Sequence, residues 1–186
     1  MSEPVFTVAN QLTLLRMALV PALVVLSLSG RFDWACGVFA LAGVTDLLDG
    51  LIARLGQQQT TLGAVLDPVA DKLLLASSFV VLTWGPGLTC PMPVWLSVVV
   101  LSRDLIILVS VAVINFTLGR RVFYPSLLGK ASTLAQLLTA GFTLLSNALG
   151  RCLPGLLWLF DLTVALTVVS ALHYVYLASA KGKAAA

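Results

Sequence analysis

Four of the eight acidic residues in this chain fall in one stretch, as Asp46, Asp49, Asp67 and Asp71. The full pattern reads Asp46-x2-Asp49-Gly50-x2-Ala53-Arg54-x8-Gly63-x3-Asp67-x3-Asp71. At roughly 100° per residue along a helix, positions 46, 49, 50 and 53 share one face, and positions 63, 67 and 71 share a face of the next. A short turn between two such helices lets them aim their carboxylates at each other across a small gap. Carboxylates gathered this way repel one another and are costly to desolvate. Hard divalent cations compensate them best, because Mg²⁺ and Mn²⁺ prefer oxygen ligands, keep some water and bridge substrate phosphates. No His or Cys stands in the stretch, which disfavours zinc. Gly50 and Gly63 clear space for a flat base or a sugar beside the backbone, and Arg54 can fork two donors onto a phosphate. Together these features read as a site for a nucleotide diphosphate.

The elements that hold this stretch are apolar. Of 186 residues, 59% are hydrophobic and 10% charged, whereas a soluble domain carries about a quarter charged residues. The bilayer is therefore the expected solvent. Apolar segments fall at about 12–29, 34–53, 63–84, 93–116, 127–149 and 155–178, separated by breaks rich in Gly, Pro and polar residues. Their length and lack of strict alternation favour helices over barrel strands, which predicts six spans in a single domain over 1–186. Asp49-Gly50 alone is a turn signal, but a turn there would cut the second span in half. The first segment carries Arg16 and Pro21 and is read as a retained span, not a cleaved leader.

Basic residues orient the bundle. With the N-terminus inside, one side collects Arg16, Arg54, Arg120, Arg121, Lys130, Lys181 and Lys183, and the other only Arg31 and Arg151. The positive-inside rule then places both termini, and the loop between the second and third spans, in the cytoplasm. The four tryptophans read as interfacial belt residues. A net charge of +3, spread along the chain, argues against nucleic acid. Cys36, Cys90 and Cys152 lack CxxC spacing and read as small packing residues, with neither a disulfide framework nor a zinc site.

The eight-position pattern resembles, without departure, the signature of the CDP-alcohol phosphatidyltransferase family. Asn10-x-Leu12-Thr13-x2-Arg16 with Pro21 resembles that family's entry segment, and Leu66-Asp67-Pro68-Val69-Ala70-Asp71-Lys72 its third-helix segment. Ser102-Arg103-Asp104 and Gly129-Lys130-x2-Thr133-x2-Gln136 resemble later motifs. The resemblance implies a six-transmembrane-helix bundle, often dimeric, with a polar cavity open to cytoplasm and bilayer. In a bacterium this would be an inner-membrane protein. It further implies that Asp46, Asp49, Asp67 and Asp71 hold two Mg²⁺ or Mn²⁺ ions, with Asp71 also the general base. Gly50, Ala53, Arg54 and Gly63 would line the CDP site. The implied reaction moves a phosphatidyl group from CDP-diacylglycerol to an alcohol and releases CMP.

Two acceptors fit. Relatives that use glycerol 3-phosphate typically carry Arg-Glu on the fourth helix and a second Arg about two turns on; here the positions are Arg103-Asp104 and Val111. That, with the run from Val38 to Gly50, makes the chain look more like the cardiolipin synthases of the family, whose acceptor is phosphatidylglycerol. Arg103 is expected to face the cavity and meet a phosphate, because neighbouring helical residues point apart and a purely mutual pair with Asp104 is awkward. Lys130 is either a phosphate binder or an ordinary positive anchor, and Arg16 either snorkels or reaches the substrate site. His173 is expected to hydrogen-bond between helices. The rival class is a cation transporter, whose paths are also lined by intramembrane carboxylates; clustering of the acids near one face opposes it.

Overall fold

The computed structural model describes the backbone over residues 8–56, 63–118 and 127–183 and side chains over 11–46, 69–109 and 127–174. Within these residues the regular structure is entirely helical. The helices are α1 (Val8–Leu28), α2 (Phe32–Gly56), α3 (Gly63–Trp84), α4 (Val94–Leu118), α5 (Leu127–Ala148) and α6 (Leu156–Lys183). They match the expected segments, although α2 and α6 run on to Gly56 and Lys183, through residues such as Arg54, Leu55 and Lys181 that favour helix. Both α1 and α5 stop at a glycine with positive φ. Gly30 donates to Ser27 and Arg31 to Leu26, and Gly150 donates to Asn147 and Arg151 to Ser146. These paired bonds satisfy carbonyls that a helix end would otherwise leave open.

The chain divides into two compact units, Met1–Pro91 with Ala140–Cys152, and Met92–Thr139 with Leu153–Ala186. In the first, α1 packs against both α2 and α3, over a core that includes Leu23, Phe39, Ala42, Leu74 and Leu82. A side-chain carbon at Gly141 would lie 3.5 Å from the Phe39 ring, an ordinary contact distance, so this part of α5 lies against α2. The Asn147 amide grips the backbone of Cys90 from both sides: Oδ1 accepts from its N–H and Nδ2 donates to its carbonyl, each at 3.0 Å. Cys90 and Cys152 are joined by a disulfide with Cα atoms 5.4 Å apart, which corrects the reading of both as packing residues. Their separation of 62 residues hides a pairing that exists only because the α3–α4 and α5–α6 connections meet. Cys36 is a free thiol.

In the second unit, α4 packs on α6. Hydroxyl pairs join the first half of α5 to α6, Ser132 with Thr167 at 3.2 Å and Thr139 with Thr163 at 2.7 Å. In both units polar side chains such as Thr13, Arg16, Ser97, Gln136 and Thr143 are fully buried, while Leu105, Leu157, Trp158 and Leu172 are strongly exposed. That inversion of the usual soluble pattern suits helices that meet through small polar residues and turn apolar ones outward. Several buried hydroxyls donate back to the carbonyl one turn earlier, as Ser78 to Leu74 and Thr167 to Thr163, so none of these needs water. Among the described residues, two helices are long and apolar enough to cross a membrane, over Gln11–Leu28 and Leu156–Tyr174. Trp34, Trp84, Trp95 and Trp158 are all exposed, each near the α1–α2, α3–α4 or α5–α6 connection.

Candidate active site

The helix contacts of the first unit bring three charged side chains together. Arg16 on α1 is fully buried, and its guanidinium bridges two helices: Nη2 lies 3.2 Å from Asp46 Oδ1 on α2, and Nη1 donates to Asp71 Oδ1 on α3 at 2.5 Å. A guanidinium suits this place because it is planar, stays charged and can present separate N–H groups to two carboxylates. The cation is enclosed while the carboxylates remain 40% and 38% exposed. They are held from behind and open in front. Arg16 thus neither snorkels nor faces solvent; it fixes the spacing of two predicted ligands.

The donor chemistry of this pair fits a hard divalent cation, since both open groups are carboxylate oxygens on adjacent elements. Among the described residues no third His, Cys, Asp or Glu joins them. The side chains of Asp49, Gly50, Ala53, Arg54, Gly63 and Asp67 lie outside the described residues. Their backbones are helical, in α2 and α3, so position 49 follows one turn after Asp46 and position 67 precedes Asp71 by one turn.

The other expected site residues, Arg103 and Lys130, belong to the second unit. Arg103 is buried in α4 and pairs with Asp104, though not with it alone. Nη1 donates to Asp104 Oδ1 at 2.8 Å and Nη2 to Ser170 Oγ on α6 at 2.7 Å. The long side chain folds back to its neighbour although the two Cα–Cβ directions diverge. Its Nε remains buried without a partner. Lys130 is exposed in the first turn of α5. His173 does not make the expected interhelical bond through Nδ1, which is buried and unpartnered. Gln136, quoted only as part of a motif, is fully buried with both amide atoms unpartnered. It lies on α5 between Ser132 and Thr139, the residues that bond to α6.

Sequence reasoning left Arg16 undecided and overlooked Ser170 and Asn147. The available signal for Arg16 was its spacing: Thr13 and Arg16, both buried, lie three residues apart on one face of α1, and Arg16 is the only charged residue of that helix. Nothing local marks Ser170 or Asn147, whose partners are 67 and 57 residues away.

Residues 6–177 match the family model described as CDP-alcohol phosphatidyltransferase. The chain is 38% identical over 159 residues to the cardiolipin synthase (CMP-forming) of Streptomyces coelicolor, covering 80% of this chain and 70% of that protein. It is 33% identical over 192 residues to the cardiolipin synthase (CMP-forming) of Homo sapiens, covering 92% of this chain and 62% of that protein. A probable phosphatidylglycerophosphate synthase of Mycobacterium tuberculosis is 32% identical over 176 residues, with 90% and 79% covered. With nearly its whole length matched, the chain belongs to the CDP-alcohol phosphatidyltransferase family and is a phosphatidyltransferase enzyme.

Proposed function

We propose that this protein transfers the phosphatidyl group of CDP-diacylglycerol to the free hydroxyl of phosphatidylglycerol, forming cardiolipin and CMP. The observation that carries the chemistry is the pair Asp46 and Asp71, set by one buried guanidinium and open to a ligand. The acceptor is chosen on the relatives named cardiolipin synthase and on Val111, where glycerol 3-phosphate users resembling this chain carry a second cation. The whole of 1–186 acts as one transferase domain.

In this reading Asp46, Asp49, Asp67 and Asp71 hold two Mg²⁺ or Mn²⁺ ions. Such ions, when bound, neutralise the charge of the diphosphate and of the leaving CMP. Arg54 forks onto a phosphate, and Gly50, Ala53 and Gly63 leave room for the cytidine. The acceptor oxygen attacks the phosphorus attached to the lipid glycerol. A phosphorus–oxygen bond to the acceptor forms, the bond to the CMP phosphate breaks, and the acceptor proton passes to Asp71. CMP leaves as an anion, so no protein acid is required. Arg16 is a positioning residue that keeps Asp71 aimed.

The protein is a multi-pass membrane enzyme with both termini and the site on the cytoplasmic side. Two features support this orientation besides the basic residues. Disulfides persist in oxidising compartments, and Cys90–Cys152 joins two connections on the side opposite the α2–α3 turn. Trp34 and Trp84, both in the unit that carries the disulfide and both exposed, stand at the helix ends on that same side, as interfacial belt residues would. A homodimer fits the family pattern, and nucleic acid is no partner.

Purified protein given CDP-diacylglycerol with each acceptor in turn, with Mg²⁺ and with Mn²⁺, tests the reading. CMP release with phosphatidylglycerol is expected. Release with glycerol 3-phosphate alone would favour the second reading, a phosphatidylglycerophosphate synthase, which the Mycobacterium tuberculosis relative supports. Ion flux in liposomes with no CMP release would point instead to a transporter.

A further inference from the structure

The Cys90–Cys152 disulfide is covered at one end and open at the other. Cys90 is only 7% exposed, whereas Cys152 stands exposed in the connection between α5 and α6. Cys90 is also held by more than its sulfur. The buried Asn147 amide bonds to both its N–H and its carbonyl, and a bond from Nδ2 to the Thr143 carbonyl at 2.8 Å ties that amide to its own helix. Among the described residues the backbone of Cys152 has no such clamp.

Thiol–disulfide exchange begins when a thiolate attacks one sulfur and displaces the other. The cover over Cys90 leaves Cys152 as the sulfur within reach. Charge favours the same end. The connections over 85–93 and 149–155 contain no Asp or Glu, and the exposed Arg151 adjoins Cys152. An anionic thiolate is therefore drawn to this place and meets no opposing carboxylate on either connection.

We propose that Cys152 is a site of reversible S-thiolation by a small anionic thiol. The incoming sulfur forms a bond to Cys152 Sγ, the bond between the two cysteines breaks, and its electron pair leaves on Cys90 Sγ, which takes up a proton. One disulfide is exchanged for another, so the incoming thiolate is the only co-reactant. The Cys90 thiol, covered by the fold, favours its neutral and weakly nucleophilic form, and is slow to expel the adduct. The Asn147 bonds keep the α3–α4 connection seated while the adduct is in place. None of this depends on which acceptor the enzyme uses.

The test treats full-length protein with glutathione, caps free thiols with a maleimide under denaturing conditions, and maps both cysteines by peptide mass. Glutathione on the Cys152 peptide with maleimide on the Cys90 peptide is expected. Glutathione on Cys90, on both equally, or on neither overturns the proposal, and this arm needs no variant to fold. Arg151→Glu reverses an exposed charge. It should slow the reaction about tenfold with glutathione, whose thiolate form carries two net charges, and about threefold with 2-mercaptoethanol, whose thiolate carries one. Equal rates in the variant and wild type overturn the proposal too.

Discussion

Arg16→Met removes the bridging charge and keeps much of the side-chain volume. Arg16 is fully buried between carboxylates that are each about two-fifths exposed. Removing one partner of a fully buried pair costs about 3–5 kcal/mol; solvent already screens the carboxylates, so about 2–3 kcal/mol is the better figure here. At roughly 2–4 °C per kcal/mol for a chain of this size, the metal-free protein should lose somewhere near 4–12 °C in Tm. The two aspartates would then sit together with no cation, so divalent ions should recover more stability in the variant than in wild type. The assay is thermal unfolding in detergent, with EDTA and with excess Mg²⁺, beside CMP release. The expected result is a larger Mg²⁺-induced Tm shift for Arg16→Met than for wild type, and a kcat lowered about 100-fold because Asp71 is no longer held. Arg16→Lys, which cannot fork to both carboxylates, should fall between the two. Equal Tm shifts and a wild-type kcat in Arg16→Met would refute the bridging role.

Asp71→Asn should still bind CDP-diacylglycerol while kcat falls about 10²- to 10⁴-fold, as loss of a general base predicts; turnover at the wild-type rate would remove Asp71 from that role. Chelation with EDTA should abolish CMP release, and Mg²⁺ or Mn²⁺ should restore it. Cys90→Ser should remove a crosslink worth about 4 kcal/mol in the chain-entropy account of a loop this long. It should lower Tm and leave the acceptor KM unchanged, and maleimide labelling of wild type should need prior reduction to reach Cys90 and Cys152. Asp104→Asn should leave Arg103 buried and uncompensated and destabilise the protein by about 3 kcal/mol, read as a fall in Tm that Arg103→Met in the same chain relieves.

The amino-acid sequence alone determined the number and approximate ends of the helices, because an apolar run long enough to bury its backbone hydrogen bonds has few alternatives. It also determined the identity of the acidic stretch, since spacing along a helix converts directly into a shared face. What it left open were contacts between residues far apart in the chain. Arg16 became a bridge only when α1 settled against α2 and α3, which depends on packing of surfaces and not on any local pattern. Cys90 met Cys152 for the same reason, and the reading of both as packing residues failed because spacing in sequence carries no information on which connections meet. Arg103 could have turned to a phosphate or to its neighbour. The fold of α4 on α6 decided for Asp104 and Ser170, because a guanidinium removed from water takes the acceptors within reach, and its remaining Nε–H is what the packing did not provide for.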